Sequence, residues 1–195
     1  MNKQDDNWEV VNRFALVAER FCSLVDSAAT VDRTQFVLQI YRMLPELIDE
    51  AHRLPLIEFE DDGDDDSDVL PDESVETTWK QFMARAKLRN QEWEPRYRAL
   101  QEKLGDWDLY WLVFDPTDYK DHEAIRGSLA DAIASIYCTL RKGIRLMEDR
   151  QAPAEDIIFE WRFNYYIDWG RHAIDALKTM HVLLQDELTD LNRPD

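Results

Sequence analysis

The chain is predicted to be an all-α, single-domain helical bundle. Three observations predict it. Apolar residues recur at three- and four-residue steps through most of its 195 residues. Only 5 Gly and 7 Pro are present, too few for the many tight turns of an all-β fold. The aromatic content of 8 Phe, 7 Tyr and 7 Trp is ample for a packed core and far above that of a disordered chain.

Trp8, Val11, Phe14, Phe21 and Val25 form one stripe on a first helix over about residues 6–28. Asp32 followed by Gln35 is a capping box that opens a second helix. The stripe of that helix is Phe36, Ile40, Leu44, Leu47 and Ala51. Pro45 falls inside it and predicts a kink near Tyr41–Pro45, and Leu54-Pro55 ends it.

An acidic segment follows. Eleven acids and no Lys or Arg lie between Glu58 and Glu76. Residues 58–74 are therefore expected to be a mobile loop within a domain spanning 6–188. Val75, Trp79, Phe82 and Ala86 mark a third helix. Tyr97, Leu100 and Leu104 continue the pattern beyond Pro95 to Gly105, a C-cap.

Trp107 to Phe114 departs from this period. Trp107, Leu109, Trp111 and Val113 alternate with Asp108, Tyr110, Leu112 and Phe114, which predicts a short extended segment. No second strand is evident, so the expectation is a buried aromatic connector lying across the helices. A patch of Trp107, Tyr110 and Trp111 that binds a partner is the competing reading. Asp115-Pro116-Thr117-Asp118 is turn chemistry.

Ser128-x-x-Asp131 caps the next helix, striped by Leu129, Ile133, Ile136, Leu140, Ile144 and Met147. Pro153 with Glu155 and Asp156 opens a long C-terminal helix, expected to run unbroken through the centre of the bundle. Its helical wheel has two occupied faces. Phe159, Phe163, Tyr166, Gly170, Ile174, Leu177, His181 and Leu184 read as the core face. Trp161, Tyr165, Asp168, Trp169, His172, Asp175 and Ala176 form the other.

That second face holds the one constellation with possible chemistry. His172 has Asp168 one turn before it and Asp175 one turn after, and either carboxylate favours the imidazolium. The candidate pocket is Asp131, Trp161, Arg162, Tyr165, Asp168, Trp169, His172 and Asp175. The plainer reading is a charge-paired histidine that locks the helix to its neighbours. A di-metal bundle needs Glu-x-x-His pairs. The chain offers only Asp49-x-x-His52 and His172-x-x-Asp175, so no metal and no cofactor are expected. The Asp115/Asp118/Asp121 series lacks the glycine and glutamate of a calcium loop. Phosphate-binding glycine loops and the nucleophile elbow are absent from the sequence.

The formal net charge is −18, and −7 without the acidic run. Nucleic acid and anionic membrane surfaces are thereby disfavoured, whereas a partner protein with a basic surface fits. Cys22 and Cys138 lie in apolar helical patterns and read as buried free thiols of a cytoplasmic protein. No run approaches the length and hydrophobicity of a membrane span. A non-catalytic protein-interaction domain is the first functional expectation, with an acidic inhibitor or immunity-type protein as a variant of it. A metal- or small-molecule-binding bundle using the His172 face is the alternative.

Several stretches together resemble a bacterial family, the domain of unknown function numbered 5063. They are Leu44-Pro45 with Leu54-Pro55, Phe114-Asp115-Pro116, and Gly127-Ser128-Leu129-Ala130-Asp131 with Ile136-Tyr137 and Gly143. The last are Trp161-Arg162-Phe163, Trp169-Gly170-Arg171-His172-Ala173 and Asp175-Ala176-Leu177. The resemblance covers about residues 10–185. It implies that Asp131, Trp161, Arg162, Trp169, His172 and Asp175 belong to a family pattern. It implies no activity and no catalytic residues.

Overall fold

The apolar stripes fold into long helices around one core. The protein is described by a computed structural model over residues 3–57, 91–113, 115–118, 120, 123–149 and 152–185. Helix α1 is Lys3–Asp26, α2 is Arg33–Arg53, and α3 covers residues 91–104. Strands β1 (Leu109–Val113) and β2 (Ala124–Ser128) precede α4 (Leu129–Asp149). Helix α5 (Ala154–Asn164) passes through a π turn (Tyr165–Trp169) into α6 (Gly170–Leu183). The expected acidic loop 58–74 and the Val75–Ala86 stripe lie outside the described residues.

Helix α1 packs on α2, α4 and α5; α4 also meets α5 and α6, and α2 meets α6. Phe14, Phe21, Phe36, Ile40, Leu44, Leu129, Ile133 and Leu140 are fully buried between them. The Asp32 side chain accepts the Gln35 N–H at 2.9 Å, as a capping residue should. Helix α2 continues through Pro45 and ends where Leu54 turns extended. Gly105 stops α3 with φ +57°, a conformation that other residues adopt only with strain. Cys22 and Cys138 are free and buried, and burial pushes the Cys22 thiol up to about 12.

Two expectations are corrected. First, the aromatic segment has a strand partner. β1 pairs antiparallel with β2, placing Tyr110 opposite Gly127 and Trp111 opposite Arg126. It covers the core only in part: Trp107 and Tyr110 pack against it, whereas Trp111 is 69% exposed and Leu109 54%. Gly127 is required because a Cβ there would come within 2.6 Å of the Tyr110 ring.

Second, the C-terminal rod is buried along a different face from the one the wheel reading made core, although Gly170 and Leu184 are buried as that reading had them. Trp161, Tyr165, Trp169, Ala173, Ala176 and Met180 are core. Phe159, Phe163, Tyr166, Ile174 and His181 face outward. Both faces are rich in apolar residues, so amphipathicity could not rank them. The π turn supplies the rest of the reason. Residues four apart in an α-helix drift by about 40° per step, so Trp161 and Ala173 would diverge by about 120°. A π turn is wider and absorbs one extra residue, which keeps 161, 165, 169 and 173 in one column.

Candidate functional site

The eight residues of the sequence-derived pocket separate into three groups. The aromatic group is structural. Trp161 is fully buried, and its indole N–H donates to the Leu140 carbonyl at 3.3 Å. Gly143 makes this possible, since a Cβ there would lie 2.1 Å from the indole nitrogen. The Phe14 ring tilts against Trp161 at 4.7 Å. The Trp169 indole donates to the Trp161 carbonyl at 3.3 Å. Tyr165 stands edge-on to Trp169 at 4.8 Å, and its hydroxyl is 2.8 Å from His52 Nε2. Burial raises the Tyr165 pKa. These side chains fill space between helices, where the sequence reading had them walling a pocket.

Arg162 binds a helix terminus. Its Nη1 donates to the Ala51 carbonyl at 2.7 Å in the last turn of α2, where a cation meets the negative end of the helix dipole. The guanidinium lies over the Tyr166 ring at 4.7 Å.

The polar group is brought together at the base of the hairpin. His172 Nε2 is 3.5 Å from the Asp168 carboxylate, with both side chains about a quarter exposed or less. Burial raises the Asp175 pKa, against the opposing pull of Arg171, His172 and Lys178. Tyr110 enters this group from β1. Its hydroxyl is pushed up to about 12 by burial, then by the Asp175 and Asp131 carboxylates, with Arg171 opposing. Asp131 from α4 and Asp175 from α6 therefore act on one tyrosine. At neutral pH that tyrosine is a neutral donor, not a base.

Sequence reasoning missed Tyr110, Arg171 and Asp108 as members of this neighbourhood. Asp108 is 1% exposed. Its Oδ1 accepts from the Ser128 hydroxyl and the Ala130 N–H, both at 2.8 Å, and its carbonyl accepts the Leu129 N–H at 2.8 Å. It caps α4 together with Ser128, whose hydroxyl accepts the Asp131 N–H at 3.1 Å. The signal was available: Asp108 is a lone carboxylate in an apolar alternating run.

The two half-motifs of the metal reading lie apart. Asp49 pairs with Arg53 and His52 with Tyr165. Among the described residues no group of three or more His, Cys, Asp or Glu side chains has metal-holding geometry. Asp115 accepts hydrogen bonds from the Thr117 hydroxyl and N–H, which lower its pKa, as in a solvated turn. His181 is exposed and meets the Tyr41 hydroxyl at 3.0 Å, so it is not the core histidine that the wheel implied.

A family model described as Domain of unknown function (DUF5063) matches residues 5–186, and the chain belongs to that family. The fold is similar to the crystal structure of protein BF1032 from Bacteroides fragilis. That similarity has a TM-score of 0.60 at 20% identity and covers 87% of this chain and 89% of that one. Among curated proteins none matches.

Proposed function

We propose that this member of the family is a non-catalytic protein-interaction domain whose contact surface is the β1–β2 hairpin and whose partner presents a basic surface. One observation carries the reading: Trp111, at 69% exposure, shares one face of the hairpin with exposed Leu109. Each Å² of apolar surface left in water costs about 25 cal/mol, so a tryptophan held out in this way favours being covered. Tryptophan is also the residue most enriched among interface hot spots. The Arg126 guanidinium, 5.6 Å above the ring, covers part of it. The net charge of −18 and exposed Asp115 and Asp118 beside the hairpin favour a cationic partner. No described helix is long and apolar enough to cross a membrane. Two free buried thiols suit a reducing compartment, and the reading places the domain in the cytoplasm.

The test is capture from cell extract on immobilised wild-type chain and on Trp111→Ser, at low and high salt. The reading expects a protein retained by wild type, released by salt and lost with Trp111→Ser. Identical retention by both chains at both salt concentrations contradicts it.

A second reading, a small-molecule site at Tyr110, Asp131, His172 and Asp175, is favoured by the electrostatic convergence on Tyr110. A stoichiometric metal or ligand in purified protein, lost in His172→Ala, would promote it over the first.

A further inference from the structure

Strand β1 has an open edge. Its register sets Leu109 opposite Ser128, Trp111 opposite Arg126 and Val113 opposite Ala124. The Leu129 N–H donates to the Asp108 carbonyl at 2.8 Å, which fixes the phase of the ladder. Bonded and unbonded positions alternate in an antiparallel pair, so Tyr110 and Leu112 direct their backbone groups at β2. The N–H and C=O groups of Leu109, Trp111 and Val113 point the other way. Among the described residues these groups meet no partner, and β2 is the only strand beside β1.

Sheets protect such edges with charge or proline. Leu109–Val113 holds neither. The opposite edge, on β2, carries Arg126. Side chains alternate along a strand, so Leu109, Trp111 and Val113 also share one face, on which Leu109 and Trp111 are exposed. The open edge and the open apolar face thus belong to the same three residues. Backbone donors and acceptors in a row at strand spacing fit an extended chain. The turn beyond β1 sets the charge of that chain. It holds four acids, Asp115, Asp118, Asp121 and Glu123, against Lys120. A second copy would bring −18 against −18 together with the same acidic turn, which disfavours it as the occupant.

We propose that β1 takes an extended basic segment of a partner protein as a third strand, its apolar side chains beside Leu109, Trp111 and Val113 and its cations near the acidic turn. This rests on the hairpin reading and supplies the mode of that contact.

Amide hydrogen exchange of the full chain, followed by NMR, tests this with the peptide Lys-Val-Lys-Ile-Lys-Val-Lys as probe. In the free chain the Tyr110 and Leu112 amides should exchange slowly, and those of Leu109, Trp111 and Val113 fast. The peptide should slow these three, with saturation below about 1 mM. Methylating one alternate set of the peptide's N–H groups should abolish the effect and methylating the other should spare it, because only every second N–H faces β1. The peptide Glu-Val-Glu-Ile-Glu-Val-Glu should not bind. Val113→Pro removes one outward N–H and leaves the β1–β2 ladder, so it should bind about three- to tenfold more weakly than Val113→Ala.

Slow exchange at all five positions in the free chain overturns the proposal, since the edge is then already covered, by the chain itself or, where protection follows chain concentration, by a second copy. No saturation by about 1 mM, equal loss from both methylated sets, or equal binding of the acidic peptide also overturns it. Trp111→Ser keeps every backbone group of β1. A partner protein lost with Trp111→Ser but indifferent to Val113→Pro therefore keeps the hairpin reading and removes strand addition. Peptide binding in the required phase, with no protein lost through Trp111→Ser, does the reverse.

Discussion

Gly170 donates its backbone N–H to the carbonyl of Tyr165, five residues earlier, and so closes the π turn that aligns the core face of the C-terminal rod. A Cβ on Gly170 would sit 2.2 Å from that carbonyl oxygen and 2.9 Å from the Tyr165 ring. Glycine is needed here for a reason within its own chain.

Gly170→Ala is therefore a test by sign. In a regular α-helix the exchange stabilises by about 1 kcal/mol through helix propensity. Here the clash is with backbone, which cannot swing aside, and overpacking of this kind costs about 1–3 kcal/mol. The clash outweighs the propensity gain, and denaturant titration should find the variant less stable. A stabilised variant would mean that the π turn is absent.

Asp108 ties the hairpin to α4. Its Oδ1 holds two hydrogen bonds, and its Oδ2 is buried without a hydrogen-bond partner among the described residues. Asp108→Ala removes the cap from the Ala130 N–H and leaves a buried donor unsatisfied, a loss of about 1–3 kcal/mol. Asp108→Asn keeps the accepting oxygen and should lose less. Thermal unfolding of the two variants ranks them, and equal melting temperatures would remove the capping role.

Asp175 gives the stability a defined pH dependence. Burial raises its pKa above the ordinary 3.8, so the native state binds its proton more tightly than the unfolded chain does. An acid shifted in this direction adds stability that is fully present below 3.8 and lost as pH rises through its native pKa. Asp175→Asn removes the charge. The variant should be more stable than wild type at neutral pH, and the difference should close as pH falls below 3.8. A constant difference across that range would show that the charge is not the cause.

Much of the fold was legible because long helices repeat their signal over many turns. The stripes of α1, α2 and α4, the Asp32 and Ser128 caps and the Gly105 stop all follow from local chemistry. Strand β2 was not legible: Ala124-Ile125-Arg126-Gly127-Ser128 has no alternating apolar pattern, because it is a largely exposed partner of a two-stranded sheet. The rod was read with a different face as core because Phe159 and Phe163 look as core-like as Trp161 and Trp169. Only the cavity over Gly143 and the one-residue offset at Tyr165–Trp169 decide between them, and both are tertiary facts. The polar cluster was half legible. The spacing of Asp168, His172 and Asp175 is written on one helix, whereas Tyr110 reaches them only through the hairpin.

The central claim is that the C-terminal rod buries its tryptophans while the hairpin presents its own. Hydroxyl-radical footprinting of the dilute native chain, read residue by residue by mass spectrometry, addresses it directly. Trp111 should be oxidised early, with Trp161 and Trp169 protected until the chain unfolds. Oxidation of Trp161 or Trp169 at the rate of Trp111 would contradict the account.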